Sequence, residues 1–215
     1  MKKLLSFTVM PLDCGHVDEI CLDIQQQYEQ GVADCPLFKM TLVPEGDPPV
    51  DKAKAFCEQY KMFHNRLSEL GIPSGVLVQA SIGHGWKLSA PFPYQRFTGL
   101  RDGSAPEVVC PYDSGFRTYI ADALHTIAAC SPDYIMIDDD FRLLGRGVNG
   151  CGCPLHMKRF NELAETSLSR EELNQILVSG NDPRLRKIYL ETQREALTET
   201  ARAMRAAIDS VICSS

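Results

Sequence analysis

The chain alternates short, nearly continuous apolar runs with stretches of helical period. The first run is Leu4–Met10. After it, Val17, Ile20, Cys21, Ile24 and Tyr28 share one helix face, and Gly31 ends the pattern. The second run, Leu37–Val43, stops at "PEGDPP". The cleanest period in the chain follows: Phe56, Tyr60, Phe63, Leu67 and Leu70, spaced by fours and threes. Gly71 supplies its C-terminal stop and Pro73 lies just beyond. The third run, Gly75–Ile82, leads into an irregular segment rich in Gly, Pro and aromatics that reaches Cys110. A segment that long inside a compact domain is usually functional. Phe116, Tyr119, Ile120, Ala123, Leu124 and Ile127 then mark a third helix, and Pro132-Asp133 introduces the fourth run, Tyr134–Ile137. Helical patterns over Leu155–Glu165 and Arg170–Val178 follow. A long amphipathic helix closes the chain, with Leu185, Ile188, Tyr189, Met204, Ile208 and Ile212 on its face.

Alternating strand and helix predicts an α/β fold with a parallel sheet, and runs this apolar suit strands covered on both faces. Neither a GxGxxG nor a P-loop follows the first strand, so a nucleotide fold is not favoured. Parallel strand–helix units of TIM-barrel type fit better. Four such units consume the chain, whereas an eight-unit barrel runs to ~250 residues. Residues 1–215 are therefore expected to form a single α/β domain. It would be a partial, four-unit barrel, the N-terminal half of a larger (β/α)8 barrel.

Composition narrows the partners. A net charge of −6 with no basic run argues against nucleic acid. No apolar stretch approaches the ~20 residues of a membrane span. The N-terminal apolar run is short, and Pro11 and Asp13 follow it. It reads as a first strand rather than a signal peptide. Nine cysteines is an odd number, and Cys21, Cys57 and Cys130 fall at apolar helix positions. Free thiols in a reducing cytoplasm are expected.

Ligands of parallel α/β folds bind at the carboxyl ends of the strands. Asp138, Asp139 and Asp140 follow the fourth strand, His84 and Trp86 the third, Asp13 the first, and Glu45 and Asp47 the second. Carboxylates, an imidazole and an indole on one rim suit a carbohydrate: the indole stacks on a sugar ring, and acids bond hydroxyls or move protons. Nearby, Cys151-x-Cys153-x-x-His156 offers three metal ligands. A closed structural zinc site takes four. Cys110, at the end of the loop after the third strand, is the candidate fourth ligand. Such a site would pin two loops of the rim and leave the chemistry to other groups.

Together these residues resemble the β-galactosidases of glycoside hydrolase family 42, which are (β/α)8 barrels. Ile137-Asp138-Asp139-Asp140-Phe141 resembles the I-D-N-E-Y-G motif that ends the family's fourth strand. Cys110, Cys151, Cys153 and His156 resemble the four cysteines of its structural zinc site. The likeness covers residues 75 to 165. It implies that Asp140 is the general acid/base, that Asp139 orients the sugar, and that Asp138, His84 and Trp86 line the substrate site. This chain departs from the pattern. Asp139 replaces Asn, Asp140 replaces Glu and is one methylene shorter, and His156 replaces the last zinc cysteine. The family's nucleophile lies on a seventh strand, which this chain lacks, while retaining hydrolysis needs two carboxyls ~5 Å apart.

The expected activity is hydrolysis of a β-glycoside by carboxylate acid/base chemistry, completed by a further half-barrel or a second copy. Two alternatives stand beside it. Asp138–Asp140 with His84 can hold a divalent cation for hydrolysis of a phosphoester or amide. Alternatively, the chain is a non-catalytic carbohydrate-binding or assembly module that associates through its edge strands.

Overall fold

A computed structural model describes residues 4–83, 91–138 and 140–213. Four strands form one sheet: β1 (Phe7–Met10), β2 (Cys35–Thr41), β3 (Gly75–Gln79) and β4 (Tyr134–Ile137). Their spatial order follows the chain, β1-β2-β3-β4, and every pairing is parallel. The connections are α1 (Val17–Glu29), α2 (Lys52–Glu69) and the long loop leading to α3 (Ser114–Ala128). After β4 come α4 (Pro154–Ala164), α5 (Arg170–Ser179) and α6 (Pro183–Ile212). This is the α/β architecture that the alternation predicts, with each strand beside its predecessor as in an arc of barrel.

Helix ends sit where the sequence supplies caps. The Asp51, Asp113 and Asp182 carboxylates accept from the backbone N–H of Lys54, Phe116 and Leu185. Ser169 and Glu172 close a reciprocal capping box on α5. Each such cap contributes on the order of 1 kcal/mol.

Side-chain alternation along the strands splits the sheet into two faces. Met10, Phe38, Met40, Val76 and Val78 point to the helices and join one core with Phe63 and Leu67 of α2 and Phe116, Ile120 and Leu124 of α3. Burial of each large side chain there contributes about 1.5–3 kcal/mol. The opposite face carries Phe7, Val9, Cys35, Leu37, Leu77, Tyr134 and Met136. Cys35, Leu37 and Leu77 form a small cluster separate from the main core.

That second face is concave. Phe7 on β1 and Tyr134 on β4 meet edge to face with ring centroids 5.5 Å apart, although β2 and β3 lie between their strands. The sheet therefore curls as a barrel wall does. On this face Leu37, at the centre, is 1% exposed, while Val9 on the edge strand remains 55% exposed. The fully covered strands expected from the apolar runs are thus found only at the centre. β1 and β4 are edges, each with one face half in solvent. No described helix is long and apolar enough to cross a membrane.

Candidate metal centre

Two loops at the carboxyl side of the sheet bring the cysteines together. The first, after β3, is held by antiparallel bridges of Arg96 with Val109 and of Gly99 with Cys151. Cys110 is fixed within it, because its N–H donates to Gln95 O at 2.8 Å and its carbonyl accepts from Asp113 N at 3.0 Å. Asp113 in turn caps α3 and accepts from Gln95 N at 2.7 Å. The second loop follows β4 and runs into α4. Cys153 is the N-cap of that helix and Pro154 its first residue. His156 lies one turn in, on the same side as Cys153.

Cys110, Cys151, Cys153 and His156 converge as this geometry requires. All four are buried, and their ligand atoms lie within 4.8 Å of one another. It is the one group of its kind found among the described residues. His156 presents Nδ1, at 3.1 Å from Cys110 Sγ and 3.7 Å from Cys153 Sγ. A tetrahedral zinc with bonds of ~2.0–2.3 Å separates its ligand atoms by roughly 3.5–3.8 Å. The observed spacing is of that scale, and three sulfurs with one imidazole suit zinc chemically. His156 Nε2 is buried with no hydrogen-bond partner among the described residues. The Tyr112 ring, 4.6 Å away at 61°, holds the imidazole plane by packing instead.

The electrostatics of the cluster are lopsided. Thiol donors from Cys110 and then Cys151 hold Cys153 far below the usual thiol range, with His156 adding to the effect. Burial pushes the Cys110 and Cys151 thiols up. Only as thiolates beside a cation would all three buried sulfurs be charged together.

The acidic stretch has a different environment. Asp138 N donates to Val78 O at 3.1 Å, so the β3–β4 ladder runs one residue past the strand. Alternation then puts Asp138 on the concave side with Tyr134 and Met136. Lys39, Thr41 and Gln79 occupy the same side at the carboxyl ends of β2 and β3. The concave face is thus apolar at its floor and polar at its rim. Asp140 is 0% exposed. Its Oδ1 accepts from Ser81 Oγ at 3.1 Å and from Ser81 N at 3.3 Å. Its Oδ2 has no hydrogen-bond partner among the described residues. Arg146 sits beside it, donating to the carbonyls of Asp140, Gly83 and Arg142 at 2.7–2.9 Å. Burial lowers the Arg146 pKa. These contacts tie the end of β3 to the turn after β4.

Asp139, His84 and Trp86 lie outside the described residues. Two of the other rim acids are engaged locally: Asp13 pairs with His16 at 3.0 Å, and Glu45 with Lys52 at 2.9 Å. None of the nine cysteines is in a disulfide. The sequence reading missed Ser81 and Arg146, which complete the Asp140 network, and the α6 residues described below.

No protein-family model matches the chain, and no curated protein matches it either. Among solved structures it is similar to α-L-fucosidase isoenzyme 2 from Paenibacillus thiaminolyticus. The TM-score is 0.48 and the identity 12%, over 89% of this chain and 27% of that one. The chain thus spans little more than a quarter of that protein.

Proposed function

We propose that the chain is a glycoside-hydrolase-type α/β domain in which Cys110, Cys151, Cys153 and His156 hold a structural zinc. The observation that carries this reading is the convergence of those four side chains, in the order and spacing of the family 42 resemblance. Zinc would supply a closed, redox-inert link between the loops after β3 and β4. The chain's own residues then do the rest. The apolar floor of Leu37, Leu77, Tyr134 and Met136 closes one end of the arc, and the rim above it faces a carbohydrate. A further half-barrel, or a second copy, would complete the wall.

Within this reading the carboxylates divide their work. Asp138 stands on the concave side and is the group placed to meet a sugar hydroxyl or glycosidic oxygen. Asp140 occupies the acid/base position of the resemblance, yet its carboxyl is out of solvent and bonded to Ser81. We assign it to holding the β3 and β4 ends in register. A second reading, a carbohydrate-binding domain without turnover, is favoured by that same burial.

Zinc content of protein purified in metal-free buffer tests the metal, with one zinc per chain expected; none would overturn the assignment. Binding and hydrolysis of aryl β-glycosides and oligosaccharides test the rim. Asp138→Asn should abolish either one and Asp140→Asn should chiefly lower stability. The reverse pattern would restore Asp140 as the proton donor. Binding without hydrolysis selects the second reading.

A further inference from the structure

The metal loops do not stand alone, because α6 grips both. On the Cys151 side, Gln193 forms a reciprocal pair with one residue's backbone. Cys151 N donates to Gln193 Oε1 at 2.8 Å, and Gln193 Nε2 donates to Cys151 O at 3.0 Å. Tyr189 OH reaches Asn149 O at 2.8 Å and Cys151 O at 3.2 Å. On the Cys110 side, Thr200 Oγ1 donates to Pro111 O at 3.2 Å, and Tyr112 OH donates to Glu195 at 2.6 Å and to Thr192 O at 3.0 Å.

Gln193, Thr192 and Thr200 are buried polar residues on an otherwise amphipathic helix. Burying an amide is unfavourable unless both its ends are bonded. Gln193 meets that condition through Cys151, whose own N–H and C=O are buried and need partners. Gly150 shows how closely the parts fit. Its φ is +87°, and a Cβ there would stand 2.6 Å from Tyr189 OH and 3.0 Å from Gln193 Oε1. The loop runs against α6 with no room for a side chain.

We propose that Tyr189 and Gln193 are positioning residues of the metal centre, so that zinc affinity and the docking of α6 rise and fall together. The proposal rests on the zinc reading above. Partners outside the ligand set orient ligands, and their loss typically weakens metal binding about ten- to a hundredfold. Coupling between two such events is reciprocal. The metal must therefore stabilise α6 as much as α6 stabilises the metal site.

Hydrogen exchange of the 215-residue protein, with zinc and after its removal, tests this without any variant. Protection of α6 around Tyr189–Thr200 should fall on zinc removal while α1, which packs against α2, keeps its own. Zinc competition against a chelator gives the converse. Gln193→Ala and Tyr189→Phe should bind zinc about ten- to a hundredfold more weakly, and Gln193→Glu, which keeps only the acceptor, should fall between. Zinc binding with α6 exchange unchanged, or wild-type affinity in folded variants, overturns this inference alone. A protein that binds no zinc overturns the metal reading and this one with it.

Discussion

Phe7 and Tyr134 touch across the concave face, their ring centroids 5.5 Å apart at 79°, from strands at opposite edges of the sheet. Edge-to-face aromatic pairs contribute about 0.5–1.5 kcal/mol beyond the area they bury. Both rings are partly exposed, which favours the lower end. A double-mutant cycle of Phe7→Leu and Tyr134→Leu in urea unfolding should give a coupling of about 0.5 kcal/mol. Additive effects would mean that the sheet does not curl this far in solution.

Gly75 makes the centre of the curl possible. It lies on the concave side of β3, paired with Leu37 and Tyr134. A Cβ at this position would meet Leu37 Cδ2 at 2.7 Å and the Tyr134 carbonyl oxygen at 2.8 Å. A leucine methyl can rotate away, but the backbone of β4 cannot move without breaking the ladder. Gly75→Ala should therefore destabilise by about 1–3 kcal/mol, the usual range for overpacking. An unchanged urea midpoint would show that β3 and β4 can separate there.

The fold was readable because its signals are local. The apolar runs and the fours-and-threes of Phe56, Tyr60, Phe63 and Leu67 mark elements that end within a few residues of the observed bounds. The cluster of three cysteines and one histidine was readable because Cys151, Cys153 and His156 lie on one short stretch, and neighbouring parallel strands put Cys110 on the same rim. Three things were not. Which strands become edges depends on what lies beside β1 and β4, which no pattern within a strand records. The burial of Asp140 depends on Ser81, an unremarkable serine whose meaning comes from the turn it faces. The grip of α6 on the two loops was hidden because Thr192, Gln193 and Thr200 are polar. A search for an apolar stripe passes over polar residues that face inward to bond a loop backbone.

Glu195 ties three elements at once and gives the protein an acid-sensitive joint. Arg159 of α4 grips it with bonds of 2.9 and 2.6 Å, and Tyr112 donates to it from the Cys110 loop. Arg159 chiefly, then Tyr112, hold its carboxyl down to about 2, below the ordinary 4.5, against the opposing effect of burial. Because the folded state lowers this pKa, the stabilisation is fully present above pH 4.5 and is lost as pH falls toward 2. Glu195→Gln should be less stable than wild type at neutral pH, and the gap should narrow between pH 4.5 and 2. Running both proteins metal-free at each pH keeps acid-induced loss of metal out of the comparison. A gap independent of pH would mean that Glu195 acts by packing alone.

His156 turns Nδ1, the ring nitrogen nearer the backbone, toward the cysteine sulfurs, and in the proposed zinc site this makes a specific exchange possible. Nδ1 lies two bonds beyond Cβ, whereas a cysteine Sγ lies one bond beyond it. A zinc–sulfur bond is about 0.2–0.3 Å longer than a zinc–nitrogen bond, which recovers part of the reach. The neighbours are already at ligand distance, with Cys110 Sγ 3.1 Å from the nitrogen. His156→Cys should therefore still bind zinc, as a site of four thiolates. It should bind more weakly at low pH than wild type, because a fourth thiol must lose its proton, with an ordinary pKa of about 8.5 against about 6.5 for imidazole. His156→Ala should lose at least tenfold in affinity, since three ligands leave a structural site open. Cobalt substitution reads the outcome directly: the sulfur-to-cobalt charge-transfer band should strengthen in His156→Cys, and the visible d–d bands should shift in His156→Ala as the imidazole is replaced. Equal bands in all three proteins would remove His156 from the ligand set.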